Sequence, residues 1–204
     1  MKQKSLLFSL FIFLFVSSSV AQTIHPKEEN TTRIMSYNIR NCIGMDGVMD
    51  IDRVAAVINN VSPDVVAVQE LDSAARRTGN IYVLGELAAK VLMYPVFAPA
   101  IDHDGGKYGI GLLSKEVQLN TRTIPLPGRE EARALLIAEF DRYYVCCTHF
   151  SLTAEDRLAS VNVIFNALKD ITKPVLLAGD MNSRYESPVQ ELLRERFTTL
   201  NDYK

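Results

Sequence analysis

Four short apolar runs in this sequence each end on a side chain able to bind a metal ion or a phosphate oxygen. Ile34-Met35-Ser36-Tyr37 leads into Asn38, and Val65-Val66-Ala67-Val68-Gln69 leads into Glu70. Val145-Cys146-Cys147-Thr148 leads into His149, and Val175-Leu176-Leu177-Ala178-Gly179 leads into Asp180 and, two residues on, Asn182. One such ending means little, because every strand leaves the core and meets water. Four in one chain point to a site at the strand ends, where function gathers in open α/β sheets. Glu70 and Asp180 are hard oxygen donors that suit Mg²⁺ or Mn²⁺, with water and phosphate oxygens completing the shell. Zinc is disfavoured, since Cys42, Cys146 and Cys147 lack ligand spacing and His25, His103 and His149 are scattered along the chain.

Those side chains need elements to hold them. Ile34 to Tyr37, Val65 to Val68 and Val175 to Ala178 are short, apolar or β-branched, and read as buried strands. Asp50 caps a helix whose Val54, Val57, Ile58 and Val61 share one face, and Ser62-Pro63 stops it. Thr153-Ala154-Glu155-Asp156 reads as a capping box opening a second helix, with Leu158, Val161, Ile164, Phe165 and Leu168 on its inner face. Ala134 to Phe140 and Tyr143 to Thr148 flank Asp141-Arg142 as a hairpin. Strands joined by helices, together with hairpins, imply a mixed-sheet α/β domain with helices covering the sheets.

Several other clusters have plainer readings. Gly105-Gly106-Lys107-Tyr108-Gly109-Ile110-Gly111 lacks the Gly-Lys-Ser/Thr ending of a phosphate loop and reads as a tight turn entering a strand. Asp102-His103-Asp104 reads as a solvated loop. Asp46, Asp50 and Asp52 do not have the spacing of a calcium loop. Arg129 and Arg133 could reach a substrate phosphate or form surface ion pairs. Asn38 could be a turn residue, and Asp180 with Asn182 an Asx turn; with Glu70 on a neighbouring strand end, a metal site is the preferred reading.

The chain has 204 residues, 48% apolar and 23% charged, with a net charge of −2. That composition excludes disordered, collagenous and cysteine-stapled classes. Lys2 and Lys4 precede an apolar stretch at residues 6–16 broken only by Ser9, and Ser19-Val20-Ala21 offers a small-residue cleavage site. Residues 1–21 therefore read as an export signal, too short to span a membrane, which takes about 20 apolar residues. Cleavage would leave 183 residues with 20 basic and 24 acidic side chains and no transmembrane segment, a size that suits one domain. Residues 22–32 form a polar lead-in, and the domain runs from 33 to 204. The mildly acidic balance is unlike that of a tight, sequence-independent nucleic-acid binder. Cys146 and Cys147 are adjacent in a strand and face opposite ways, so they read as small core side chains.

The motifs resemble those of the endonuclease/exonuclease/phosphatase superfamily, the deoxyribonuclease I-like hydrolases. The resemblance rests on Ser36-Tyr37-Asn38-Ile39-Arg40, Asp64-Val65-Val66-Ala67-Val68-Gln69-Glu70, Tyr108-Gly109-Ile110-Gly111-Leu112-Leu113-Ser114-Lys115, Thr148-His149-Phe150 and Gly179-Asp180-Met181-Asn182. It implies a four-layer α/β/β/α sandwich of two mixed sheets with the site at one end. Carried over by position, Glu70 is the principal metal ligand, with Asn38 beside it directly or through water. Asp180 orients the attacking water, Asn182 holds a phosphate oxygen or the metal shell, and His149 hydrogen-bonds the phosphate as charge builds. Arg133 is a further candidate for a substrate phosphate. These parts match what phosphoester hydrolysis requires: neutralised charge, an aligned water and donors aimed at the transition-state oxygens.

Members of the superfamily carry a further Ile-Asp-Tyr-like strand and a Ser-Asp-His motif after Gly-Asp-x-Asn. This sequence has Leu200-Asn201-Asp202-Tyr203-Lys204 after that point and no histidine beyond His149. Asp202-Tyr203 arrives too soon to take the first of those roles. The domain is therefore expected to be C-terminally incomplete, lacking its last strands, and weakly active or inactive as it stands, since a missing general base costs about 10²–10⁴ in rate. Together the export signal and the resemblance lead to the expectation of an exported, monomeric, Mg²⁺- or Mn²⁺-dependent phosphoester hydrolase, with a small or lipid-derived phosphate ester favoured by export and negative charge. The alternatives are a nuclease acting on nucleic acid, and a non-catalytic or incomplete fragment of such a hydrolase.

Overall fold

The computed structural model describes residues 26–201. The export signal read at residues 1–21, His25 and Asp202-Tyr203 lie outside them. Strand β1 (Ile34–Asn38), helix α1 (Ile51–Val61) and strand β2 (Val65–Ser73) make a parallel β-α-β unit. Helix α1 begins where the sequence puts it, with the Asp50 carboxylate accepting the Arg53 N–H at 2.9 Å, and ends on Ser62 at φ 50°. Its buried face is centred on Val54, Ala55 and Ile58, which rotates Val57 to the rim at 37% exposure. After helix α2 (Val83–Val91) come strands β3 (Tyr94–His103) and β4 (Gly106–Ser114), joined at Asp104 and Gly105. Both turn residues have positive φ, 47° and 85°, the pairing a two-residue hairpin needs to match strand twist. Strand β3 runs through Asp102 and His103, which were expected in a solvated loop; Asp102 pairs with Lys107, and His103 packs on Tyr108. The strand persists there because Ile101, Asp102 and His103 pair with Tyr108, Lys107 and Gly106 across the hairpin.

The second half repeats the materials in another order: strands β5 (Asn120–Leu126), β6 (Arg133–Glu139) and β7 (Tyr144–His149), helix α3 (Ala154–Leu168), strand β8 (Val175–Asp180) and helix α4 (Pro188–Arg194). The β6–β7 hairpin closes around Asp141-Arg142 as expected, with Phe140 N–H donating to Tyr143 O. Helix α3 also starts as expected, but its capping box does not form. The Asp156 carboxylate instead accepts from the Arg129 N–H and guanidinium, and the Thr153 hydroxyl turns to Glu130. An arginine offering both backbone and side-chain donors outcompetes one local amide.

The strands form two four-stranded mixed sheets, ordered β1-β2-β4-β3 and β5-β6-β7-β8. Each has one parallel pair, β1 with β2 and β7 with β8, and is otherwise antiparallel. Side-chain alternation sorts the chain into four layers. Val66 and Val68 of β2 pack under α1 and α2, whereas Val65 and Ala67 face the other sheet. In β6, Ala134, Leu136 and Ala138 face inward, while Leu135 and Ile137 pack beneath α3 and α4. Cys147 and Cys146 divide between those same two cores, as their adjacency requires. All three cysteines are free and buried, and burial pushes each thiol up to about 12, so none is a ready nucleophile. No helix among the described residues is long and apolar enough to cross a membrane. Strands β1 and β8, the outer strands of their sheets, pack against each other and bring Asn38 and Asp180 together.

Candidate active site

Asn38 is the junction. Its Nδ2 donates to Glu70 Oε1 at 2.7 Å and to Asp180 Oδ2 at 3.1 Å, joining carboxylates from the two sheets through one amide. Its Oδ1, the only atom of that side chain able to bind a cation, accepts the Arg40 N–H at 3.1 Å. Glu70 reaches the junction through a break in register. The β2–β4 ladder slips between Val68 and Leu71, and Glu70 sits in that bulge at φ 58°. Bulges of this kind re-aim a side chain. Its neighbour Gln69 is buried and spans the sandwich, with Nε2 3.5 Å from Cys147 Sγ. Positive φ recurs around the site, at Arg40, Asn41 and Cys42 just after β1 and at Asn182 just after β8. Left-handed backbone at a non-glycine residue costs about 1–2 kcal/mol and collects at functional sites.

The β7–β8 side reaches the junction with its register unbroken. His149 pairs with Asp180 across the parallel ladder, and Phe150 N–H donates to Asp180 O. Gly179 makes this approach possible, because a Cβ there would lie 2.2 Å from Thr148 O. Asp180 divides its carboxylate: Oδ1 accepts the Asn182 N–H at 2.9 Å, an Asx turn, and Oδ2 faces both Asn38 and His149 Nε2, the latter at 3.9 Å. The turn and the site are thus one structure. The Asn182 amide donates to Phe150 O at 2.8 Å, tying the ends of β7 and β8 together.

Behind His149 lies Arg133. It is 8% exposed, with Nη1 3.3 Å from His149 Nδ1 and 2.9 Å from Glu131, and Nη2 3.6 Å from Glu130. His149, Arg133, Glu131 and Tyr108 line a small cleft beside the junction. Burial first, and Arg133 second, hold His149 below its ordinary pKa against the pull of Asp180 and Glu70. Burial, with Glu70 and Glu131 adding to it, pushes Tyr108 up. Glu130 anchors the loop after His149: its carboxylate accepts from the Ser151 hydroxyl, the Leu152 N–H and the Thr153 hydroxyl, which hold its pKa down at about 2.

Five of the six residues singled out in the sequence, Asn38, Glu70, His149, Asp180 and Asn182, therefore meet at one end of the sandwich, and Arg133 stands behind His149. Gln69, Tyr108, Glu130 and Glu131 were not singled out. Gln69 and Tyr108 lie within the motifs that carry the family resemblance, but nothing local marks Glu130, which serves a loop 21 residues on in the chain.

The donor set fits a hard divalent cation. Two carboxylates face one amide nitrogen, and Glu70 has no cationic partner among the described residues. No group of three His, Cys, Asp or Glu side chains converges there among the described residues, so water or phosphate oxygens would complete the shell. The Arg40 N–H holds Asn38 Oδ1, so the oxygens free to meet a cation at the junction belong to the Glu70 and Asp180 carboxylates.

The sequence pattern of the endonuclease/exonuclease/phosphatase family matches residues 35–199. No curated protein sequence matches the chain. An endonuclease/exonuclease/phosphatase from Beutenbergia cavernae is similar at 23% identity and TM-score 0.64, over 79% of this chain and 50% of that one. A mannosyl-6-phosphatase from Bacteroides thetaiotaomicron is similar at 14% identity and TM-score 0.61, over 81% of this chain and 71% of its own. D. rerio TDP2, complexed with a single-strand DNA product, is similar at 21% identity and TM-score 0.58, over 75% of this chain and 61% of its own. This chain therefore spans half of the first of these and about three fifths of the third. At such identities the likeness is one of fold, and it confirms the two-sheet sandwich.

Proposed function

The chain belongs to the endonuclease/exonuclease/phosphatase family, and from that premise we propose that it is an exported phosphoester hydrolase, dependent on Mg²⁺ or Mn²⁺, that acts on a small or lipid-derived phosphate ester. Family members are phosphoester hydrolases and generally use divalent metal ions. The observation that carries the reading is the Asn38 amide held between Glu70 and Asp180, with His149 facing the same carboxylate.

Glu70 would hold the metal, with Asn38 beside it. When bound, the metal supplies positive charge against the phosphate oxygens. Asp180, fixed by the Asx turn, accepts a hydrogen bond from the attacking water and so orients it. His149 donates to a phosphate oxygen as negative charge develops, the preorganised donation that accounts for much of such catalysis. Asn182 holds a phosphate oxygen or the metal's water shell. Support for export is the charged, apolar and small-residue pattern of residues 1–21, and the acidic balance of the remainder favours a compact substrate over a polyanion.

The test is hydrolysis by the purified chain of sugar phosphates, inositol phosphates, sphingomyelin and plasmid DNA, with Mg²⁺ and with chelator. Expected is slow Mg²⁺-dependent cleavage of a non-polymeric ester that disappears in Glu70→Gln. Absence of metal-dependent cleavage of every substrate would overturn the reading in favour of the non-catalytic alternative. Nicked plasmid as the sole product would move the substrate to nucleic acid, the second reading, which the likeness to a DNA-bound structure favours.

A further inference from the structure

Arg133 opens β6 and His149 closes β7, and the antiparallel pairing of the two strands brings both residues to the same end of the sheet. Both are buried. The guanidinium Nη1 lies 3.3 Å from His149 Nδ1. A guanidinium has donors only and keeps its charge at any working pH. The nitrogen it faces must present a lone pair, which leaves the ring proton on Nε2. Nε2 faces Asp180 Oδ2 at 3.9 Å. That separation is too long for a direct hydrogen bond and leaves room for the two groups to share a third oxygen.

We infer that Arg133, anchored by Glu131, is a positioning residue that fixes His149 as its neutral Nε2–H tautomer and aims that N–H at an oxygen shared with Asp180. The use of this arrangement rests on the proposed hydrolysis; the arrangement itself does not. Glu131 Oε1 holds Arg133 Nη1 at 2.9 Å, and Glu130 approaches Nη2, so the guanidinium is braced from behind. The charged groups around the imidazole are Arg133 on the Nδ1 side and Asp180 and Glu70 on the other. The opposite tautomer would turn a lone pair toward the phosphate and place an N–H against a cation. Both changes are repulsive. In this arrangement His149 works as a fixed donor to the phosphate, and Arg133 acts on substrate only through it.

The experiment is a long-range ¹H–¹⁵N correlation spectrum of the full chain labelled on histidine nitrogen, recorded near neutral pH without metal or substrate, with His149 assigned by its loss in His149→Gln. Expected is a protonated Nε2 and an unprotonated Nδ1, retained in Arg133→Lys and replaced by mixed tautomers in Arg133→Met. In the hydrolysis assay Arg133→Met should lower kcat about 10–100-fold with KM nearly unchanged, the range for an outer partner that fixes a histidine's tautomer, and Arg133→Lys should recover part of it. A wild-type His149 protonated on Nδ1, or a folded Arg133→Met chain with the wild-type tautomer, would overturn the inference. If Arg133→Met fails to fold, the wild-type and Arg133→Lys spectra decide. The expected tautomer in a chain that hydrolyses nothing would count against the proposed function and leave the positioning role standing.

Discussion

Each sheet contributes one parallel β-α-β unit to the site, and the two units are built differently. In the β1-α1-β2 unit the parallel ladder holds to Asn38 with Gln69, but the β2–β4 ladder beside it slips at that point, Glu70 takes a left-handed backbone, and its carboxylate accepts from the Asn38 amide. In the β7-α3-β8 unit the ladder holds to its last pair, His149 with Asp180, and the histidine is backed by an arginine and its own carboxylate partners. On the proposed function the work of the site is divided: the first unit, whose Glu70 has no cationic partner among the described residues, is the half that an ion would complete, and the second has its donor in place on folding.

The substitutions that probe this division run from large effects to small. Glu70→Gln removes the charge that holds the metal while keeping the shape, and hydrolysis should fall by about 10³-fold or more together with metal affinity. His149→Ala should cost about 10²–10³-fold in kcat, the scale of one lost transition-state donor, with metal affinity unchanged. If His149→Ala weakened metal binding as much as Glu70→Gln, the division between the halves would fail. Gly179→Ala forces a Cβ against Thr148 O and should destabilise the chain by about 1–3 kcal/mol in denaturant unfolding. That change tests whether the second half depends on its unbroken register.

The smallest effect concerns acid. Glu130 has its pKa lowered to about 2 in the folded chain, first by the Ser151 hydroxyl. A carboxylate whose folded pKa is depressed contributes stability above its unfolded pKa of about 4.3 and loses it as pH falls toward the folded value. The loop behind His149 should therefore loosen between about pH 4.3 and 2, and Glu130→Gln should flatten that part of the stability profile, as followed by thermal melts. An unchanged profile would show that the loop is held by the neighbouring Arg129–Asp156 pair instead.

The sequence made the strand ends legible because burial forces apolar runs, and a polar residue at the end of such a run has few other reasons to recur. Helix α1 was legible for the same kind of local reason, a cap and a spacing, down to the Asp50 bond. What local pattern could not show was competition at a distance. The expected cap of α3 lost its carboxylate to Arg129, 27 residues earlier. Asp102 and His103 looked like a loop by composition and are strand because β4 pairs with them. In the site, the metal-facing residues stood out by type, whereas Arg133 and Glu131 gain their meaning only when antiparallel pairing sets them behind His149. The bulge that turns Glu70 left no trace in the residue types around it.

The central claim is that Glu70, with Asn38 beside it, takes a cation while the His149 half is complete without one. Titration of the purified chain with Mn²⁺, monitored by calorimetry, tests it most directly. Saturable binding of one ion by the wild type and by His149→Ala, lost in Glu70→Gln, is the predicted result; equal binding by all three chains, or none by the wild type, would contradict it.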